Sequence, residues 1–149
     1  HQGGIVFYYD GNGGGLIAAP SDQSSATWGC TGQSIGGTSS AVGTGAANTT
    51  AIVSGCSETA IAAKICADLT LGGYTDWFLP SKDELNLMYD NIGPGDELGL
   101  GNVGDFDDDY YWSSTETSGN GAWGQLFGNS GQSIVSKNVT GVVRAVRAF

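Results

Sequence analysis

The sequence predicts an α+β domain with two or three helices beside a small antiparallel sheet and long ordered loops. Three observations carry that expectation. Helical periodicity is confined to the middle of the chain, from Asn48 to Ile92. Strand-length runs lie on both sides of it, before Pro20 and after Asp109, and 26 glycines among 149 residues supply the turns between them. With 40% hydrophobic residues the chain has apolar mass for one core, so residues 1–149 are expected to form one domain.

The opening "GGIVFYYDGNGGGLIAAP" reads as two strands, Gly4 to Tyr9 and Gly15 to Ala19, joined by a turn over Asp10 to Gly14. From Ser21 to Asn48 the chain is rich in Gly, Ser and Thr without a period, yet Trp28, Ile35 and Val42 punctuate it, which predicts an ordered loop. Asn48 or Thr49 is placed to cap a short helix through about Ser54. Ser57 is placed to cap a second helix, whose inward stripe is Ile61, Ala62, Ile65, Cys66 and Leu69 and whose stop is Gly72 and Gly73. Directly after Pro80, Ser81 and Glu84 form an S-x-x-E capping box ahead of Leu85, Leu87, Met88 and Ile92.

After Gly93 the pattern changes. "GPGDELGLGNVGDFDDD" is a loop of glycine and acid, and "YYWSSTE", "GAWGQLFG", "QSIVSKN" and "VVRAVRAF" follow at strand length. The last three are expected to form a meander with turns near Asn129 and Asn138. Arg144 and Arg147 interrupt the final strand and are read as structural, each needing a carboxylate or carbonyl partner.

Five Lys plus Arg stand against fifteen Asp plus Glu, a formal net charge of -10. Duplex DNA, anionic lipid and sulfated polysaccharide are poor partners for such a field, and cations better ones. No apolar run reaches the roughly eighteen residues of a membrane span, so membrane insertion is not expected. A start at His1 without Met fits a processed export product or a trimmed chain, and the composition leans toward a protein outside the cell. Cys30 and Cys56 sit in glycine-flanked turns, where a bridge would pin the irregular segment between them; spacing alone does not fix the pairing. Without a CxxC, and with His1 as the only imidazole, zinc is disfavoured.

"GYTDWFLPSKDELNLMY", "YYWSSTE" and "VVRAVRAF", with the upstream "WGC...GTSSAVGTGAANTTAIVSGC", resemble a family of bacterial surface domains, in the same order and over nearly the whole chain. That family is named for the C-terminal domain of the Legionella collagen-like adhesin. The resemblance implies a C-type-lectin-like fold, similar also to formylglycine-generating-enzyme-like domains, with helices beside a small twisted sheet and a long loop region given to ligand. It further implies adhesion or recognition, sometimes as trimers, with the segment between "YWSST" and the final strand as the display region. The EPN, QPD and WND signatures of calcium-dependent lectins are absent, which speaks against sugar binding by that mechanism, and the basic character that glycosaminoglycans need is absent too, so a neutral glycan or a protein surface is the expected ligand.

Asp105, Asp107 and Asp109 alternate in the acidic loop as candidate calcium ligands, weighed against a solvated acidic turn, because the EF-hand pattern is not completed. Catalysis finds little support. Fifteen acids offer carboxylate pairs by chance, His1 has no G-x-S-x-G partner, and "GNGGG" and "GTGAAN" complete no phosphate loop. Trp77 and Trp112 are read as core. Trp123 and Phe127 are candidates for a stacking platform, with a core position the competing reading for Trp123. The expectation is a non-enzymatic extracellular recognition domain contacting its ligand through Glu116, Asn120, Trp123, Gln125, Asn129 and Gln132. A structural subunit of an extracellular filament or trimer is the alternative, and a glycan-processing hydrolase a weaker third.

Overall fold

The computed structural model describes residues 1–149. The N-terminal hairpin forms where the sequence places it, from β1 (Ile5–Tyr9) and β2 (Gly15–Ala18). Its turn is held by Asp10, whose Oδ1 accepts from the amides of Asn12 at 2.7 Å and Gly14 at 3.0 Å, the local bonding that makes aspartate a turn residue. The register slips between Val6 and Tyr8, so Phe7 is the extra residue of a bulge.

Three helices follow: α1 (Gly45–Gly55), α2 (Ala62–Ala67) and α3 (Lys82–Ile92). The capping box on α3 is present in both directions, with the Ser81 side chain accepting from Glu84 N and the Glu84 carboxylate accepting from Ser81 N at 2.7 Å. The other two predicted caps are corrected. Helix α1 begins earlier, after Thr44, and Asn48 lies inside it. There its amide bonds both ways with Ser39 of the preceding loop and also donates to Ser114 Oγ at 3.1 Å, so it fastens the loop instead of starting the helix. Helix α2 begins after Ile61, four residues past Ser57. Its first amide, that of Ala62, donates to the Thr27 carbonyl at 3.0 Å, a nonlocal partner that no local cap signal reveals.

The later strands are β3 (Tyr110–Glu116), β4 (Gly121–Leu126), β5 (Gly131–Ser136) and β6 (Val146–Ala148). They divide between two antiparallel sheets of order β1-β2-β6 and β3-β4-β5. The expected meander is therefore half right: β4 and β5 pair through the Asn129 turn, but the final strand leaves β5 and joins β2. Ion pairs made by inward-turned cations account for this course. Lys137 turns inward to Glu116 at 2.6 Å, Arg144 Nε donates to Asp22 at 2.6 Å, and Arg147 pairs with Asp76, so the C-terminal segment is drawn through the body of the domain.

Two apolar clusters flank the first sheet. Ile17 and Ala19 face one, with Trp28, Ile52, Ile61, Cys66, Trp77 and Trp112; Leu16 and Ala18 face the other, with Phe7, Met88, Phe106, Tyr111 and Phe127. A strand buried on both faces reads as a continuous apolar run, as "LIAA" does. A disulfide joins Cys30 to Cys56 across 26 residues and ties the long loop to the end of α1, while Cys66 is a buried free thiol. No helix is long and apolar enough to cross a membrane.

Candidate functional site

In β4 side chains alternate between faces. Ala122 points into the core, whereas Trp123 and Gln125 share the opposite face, alongside Ile134 and Gln132 of β5, their register partners. The N-terminal half of α3 lies against this face. Lys82, Asn86 and Asp90, spaced at i, i+4 and i+8, run as a polar stripe away from the inward Leu85, Met88 and Ile92.

Amides lock the two elements together. Gln132 Nε2 donates to the Lys82 carbonyl at 2.8 Å and to Gln125 Oε1 at 3.2 Å; Gln125 Nε2 donates to Asn86 Oδ1 at 3.0 Å, and Asn86 Nδ2 to Asp90 at 2.8 Å. Gln125 is fully buried and all of this bonding is internal, so it positions the face without presenting a free group. What remains open is the half-buried Trp123 ring, with Lys82 Nζ 4.0 Å from its centroid, and Ile134, 60% exposed. An aromatic and an aliphatic side chain on a braced sheet form a small rigid contact surface.

The remaining predicted contacts lie elsewhere. Glu116 accepts from the amides of Ile35 at 2.8 Å and Gly36 at 2.9 Å and pairs with Lys137, so its carboxylate holds the long loop onto β3. Burial pushes this carboxyl up, but those amides and the ammonium outweigh it and hold it below the usual range. Asn120 and Asn129 are exposed at opposite ends of β4, and Asn129 Oδ1 accepts from Gly131 N at 3.0 Å within the hairpin turn. Phe127 is fully buried against Phe106, Tyr111 and Tyr89, and is not a display residue. Lys82, Asn86 and Ile134 were not predicted. The one trace of the first two is their i, i+4 spacing on a helix recognised by its cap.

The acidic loop is organised through its backbone. Asp107 N donates to Tyr111 Oη at 2.9 Å, that hydroxyl donates to Asp22 at 2.9 Å, and Arg144 Nη1 donates to the carbonyls of Gly104 at 2.8 Å and Ala19 at 3.1 Å. Asp105, Asp107 and Asp109 are exposed and their carboxylates do not converge. The only three ligand-type groups with atoms within 4.8 Å of one another are Cys30, Cys56 and Glu58, and the two sulfurs there are bonded to each other.

Four of the five cations are paired with carboxylates, and Lys82 alone has none. No curated protein matches the chain. The model of the Lcl C-terminal domain matches residues 22–147, a span that includes all three helices and the whole β3-β4-β5 sheet, and the chain belongs to this family of bacterial surface domains.

Proposed function

We propose that this domain is a non-enzymatic recognition module working outside the cell, in a lectin-type architecture, which holds a neutral glycan or a protein surface against the open face of β4 and β5. The observation that carries the reading is the half-exposed Trp123 beside Ile134 on a sheet whose same face is braced next to them by Gln125, Gln132 and Asn86. A rigid platform loses little conformational freedom when a ligand settles on it, which is where weak apolar contact becomes useful affinity. Binding without chemistry is supported by the duties of the perturbed groups: burial pushes Cys66 and Glu84 up, but the thiol is enclosed in the core and the carboxylate is held by the amides of Ser81, Gly43 and Gly45.

A calcium ion on Asp105, Asp107 and Asp109 would require those carboxylates to swing together, so the reading is built without one. The test is a glycan and peptide array followed by Trp123→Ala. Loss of the array signal with unchanged circular dichroism is expected; a retained signal refutes this face. Light scattering at high concentration separates the self-assembling alternative, which a monomer removes.

A further inference from the structure

Strand β1 is an outer strand, hydrogen-bonded to β2 on one side and to no strand on the other. From outside its own sheet a single bond reaches its backbone, Asn91 Nδ2 to the Phe7 carbonyl at 2.9 Å. A groove of about 410 Å³ is lined by Val6, Phe7, Tyr8, Tyr9, Asn91 and Leu98. Consecutive strand residues point to alternate faces, so four in a row line one groove only if it runs along the strand's edge. The lining is apolar except for Asn91, and its rims are open: Tyr9 is 66% and Leu98 60% exposed.

The charge around the groove has one sign. Asp96 and Glu97 precede Leu98 on the exposed rim, with Glu97 N donating to the Asp90 carbonyl at 2.8 Å. Neither the lining residues nor their chain neighbours include a lysine or arginine. Natural sheets protect exposed edges with lysine, proline or a covering element. Here the Phe7 bulge and helix α3, whose Asn91 bonds the Phe7 carbonyl, guard it, and the groove between β1 and Leu98 stays open.

We propose that the β1 edge is a second interaction surface, which takes an extended basic peptide segment as an added strand, its backbone pairing with β1, its apolar side chains in the groove and its lysines or arginines toward Asp96 and Glu97. Strand addition draws affinity from main-chain bonds and selectivity from alternate side chains, and this edge supplies both. The other free edge, β5, has no such groove. The inference stands on observations independent of the Trp123 face.

The experiment uses the whole chain and a fluorescein-labelled peptide of alternating lysine and valine at about 0.15 M salt, where long-range attraction is damped. Anisotropy is expected to show saturable binding, weakened about tenfold or more for a peptide of equal charge with prolines at alternate valines, which cannot make the ladder bonds. Leu98→Lys, at an exposed position, is expected to weaken it comparably with unchanged circular dichroism, and hydrogen exchange to slow at Ile5–Tyr9 when the peptide is bound. Equal binding of the proline peptide would reduce the effect to bare charge attraction and overturn the proposal. So would slowed exchange confined to β5, or a dimer whose β1 amides are already protected without peptide, which would assign the edge to a second copy.

Discussion

Replacing Lys137 with methionine tests how the C-terminal segment is held. Lys137 is fully buried, with Nζ 2.6 Å from Glu116 Oε2, 2.9 Å from the Gln33 carbonyl and 4.4 Å from the Trp28 ring centroid. Methionine keeps most of the volume and removes the charge, leaving Glu116 with a nearly buried side chain and only its two amide donors. Removing one partner of a buried pair costs about 3–5 kcal/mol, and the surviving amides place this case near 3. For a domain of this size that is a fall in Tm of about 6–12 °C. The double variant Lys137→Met, Glu116→Gln should recover part of the loss, since no unpaired charge is left inside. Glu116 is held below the usual carboxylate range, so its contribution is complete above the unfolded value of about 4.3 and is lost as the pH falls through the lower folded value. The gap between wild type and Lys137→Met should therefore narrow in acid. Urea titrations from neutral pH downward measure it; a single variant within about 0.5 kcal/mol of wild type at neutral pH refutes the reasoning.

Replacing Cys30 and Cys56 together with serine should cost about 3.5 kcal/mol on the chain-entropy account for a separation of 26 residues, or about 7–14 °C in Tm. Cys66, buried with its thiol pushed up, is not expected to substitute; calorimetry on reduced and oxidised samples checks both statements. The melting temperature should be the same in calcium and in chelator, because the loop carboxylates do not converge as folded; a clear rise with calcium would show that the loop rearranges around an ion.

Features set by neighbours along the chain were legible in the sequence. The Asp10 turn and the Ser81–Glu84 box each depend on residues within a few positions, and each stands where it was read; the Cys66 stripe turns Ile61, Ala62 and Cys66 inward, but its helix ends at Ala67, short of Leu69 and of the stop expected at Gly72 and Gly73. Misreadings arose where a local signal was answered by a distant partner. Asn48 has the chemistry of a cap, but Ser39 and Ser114 engage its amide; Ser57 has it too, but Thr27 supplies the carbonyl for α2. The final strand has the same difficulty on a larger scale. "VVRAVRAF" shows a strand, while its neighbour is chosen by where Arg144 and Arg147 find Asp22 and Asp76, positions 122 and 71 residues away. At the site, Trp123 was legible as a strand aromatic of unusual context, but its companions were not, because a helix and a sheet meet there through amides that carry no periodic signature.

The distribution of charge joins these findings to function. Lys137, Arg144 and Arg147 are buried and tied to Glu116, Asp22 and Asp76, so cations scarce in the sequence are scarcer still on the surface. Lys64 lies beside Asp68 on α2. The exterior is therefore anionic nearly throughout, and the two proposed surfaces differ in how they use that. Contact at Trp123 and Ile134 is apolar and gains little from the field, so its affinity should hardly change with salt. Binding along β1 draws on Asp96 and Glu97, neither of them paired with a lysine or arginine, and should weaken as salt shortens their reach. Ionic strength thus separates the two surfaces on one unmodified protein, and a ligand that keeps its affinity from low to high salt belongs on β4 and β5 and not in the groove.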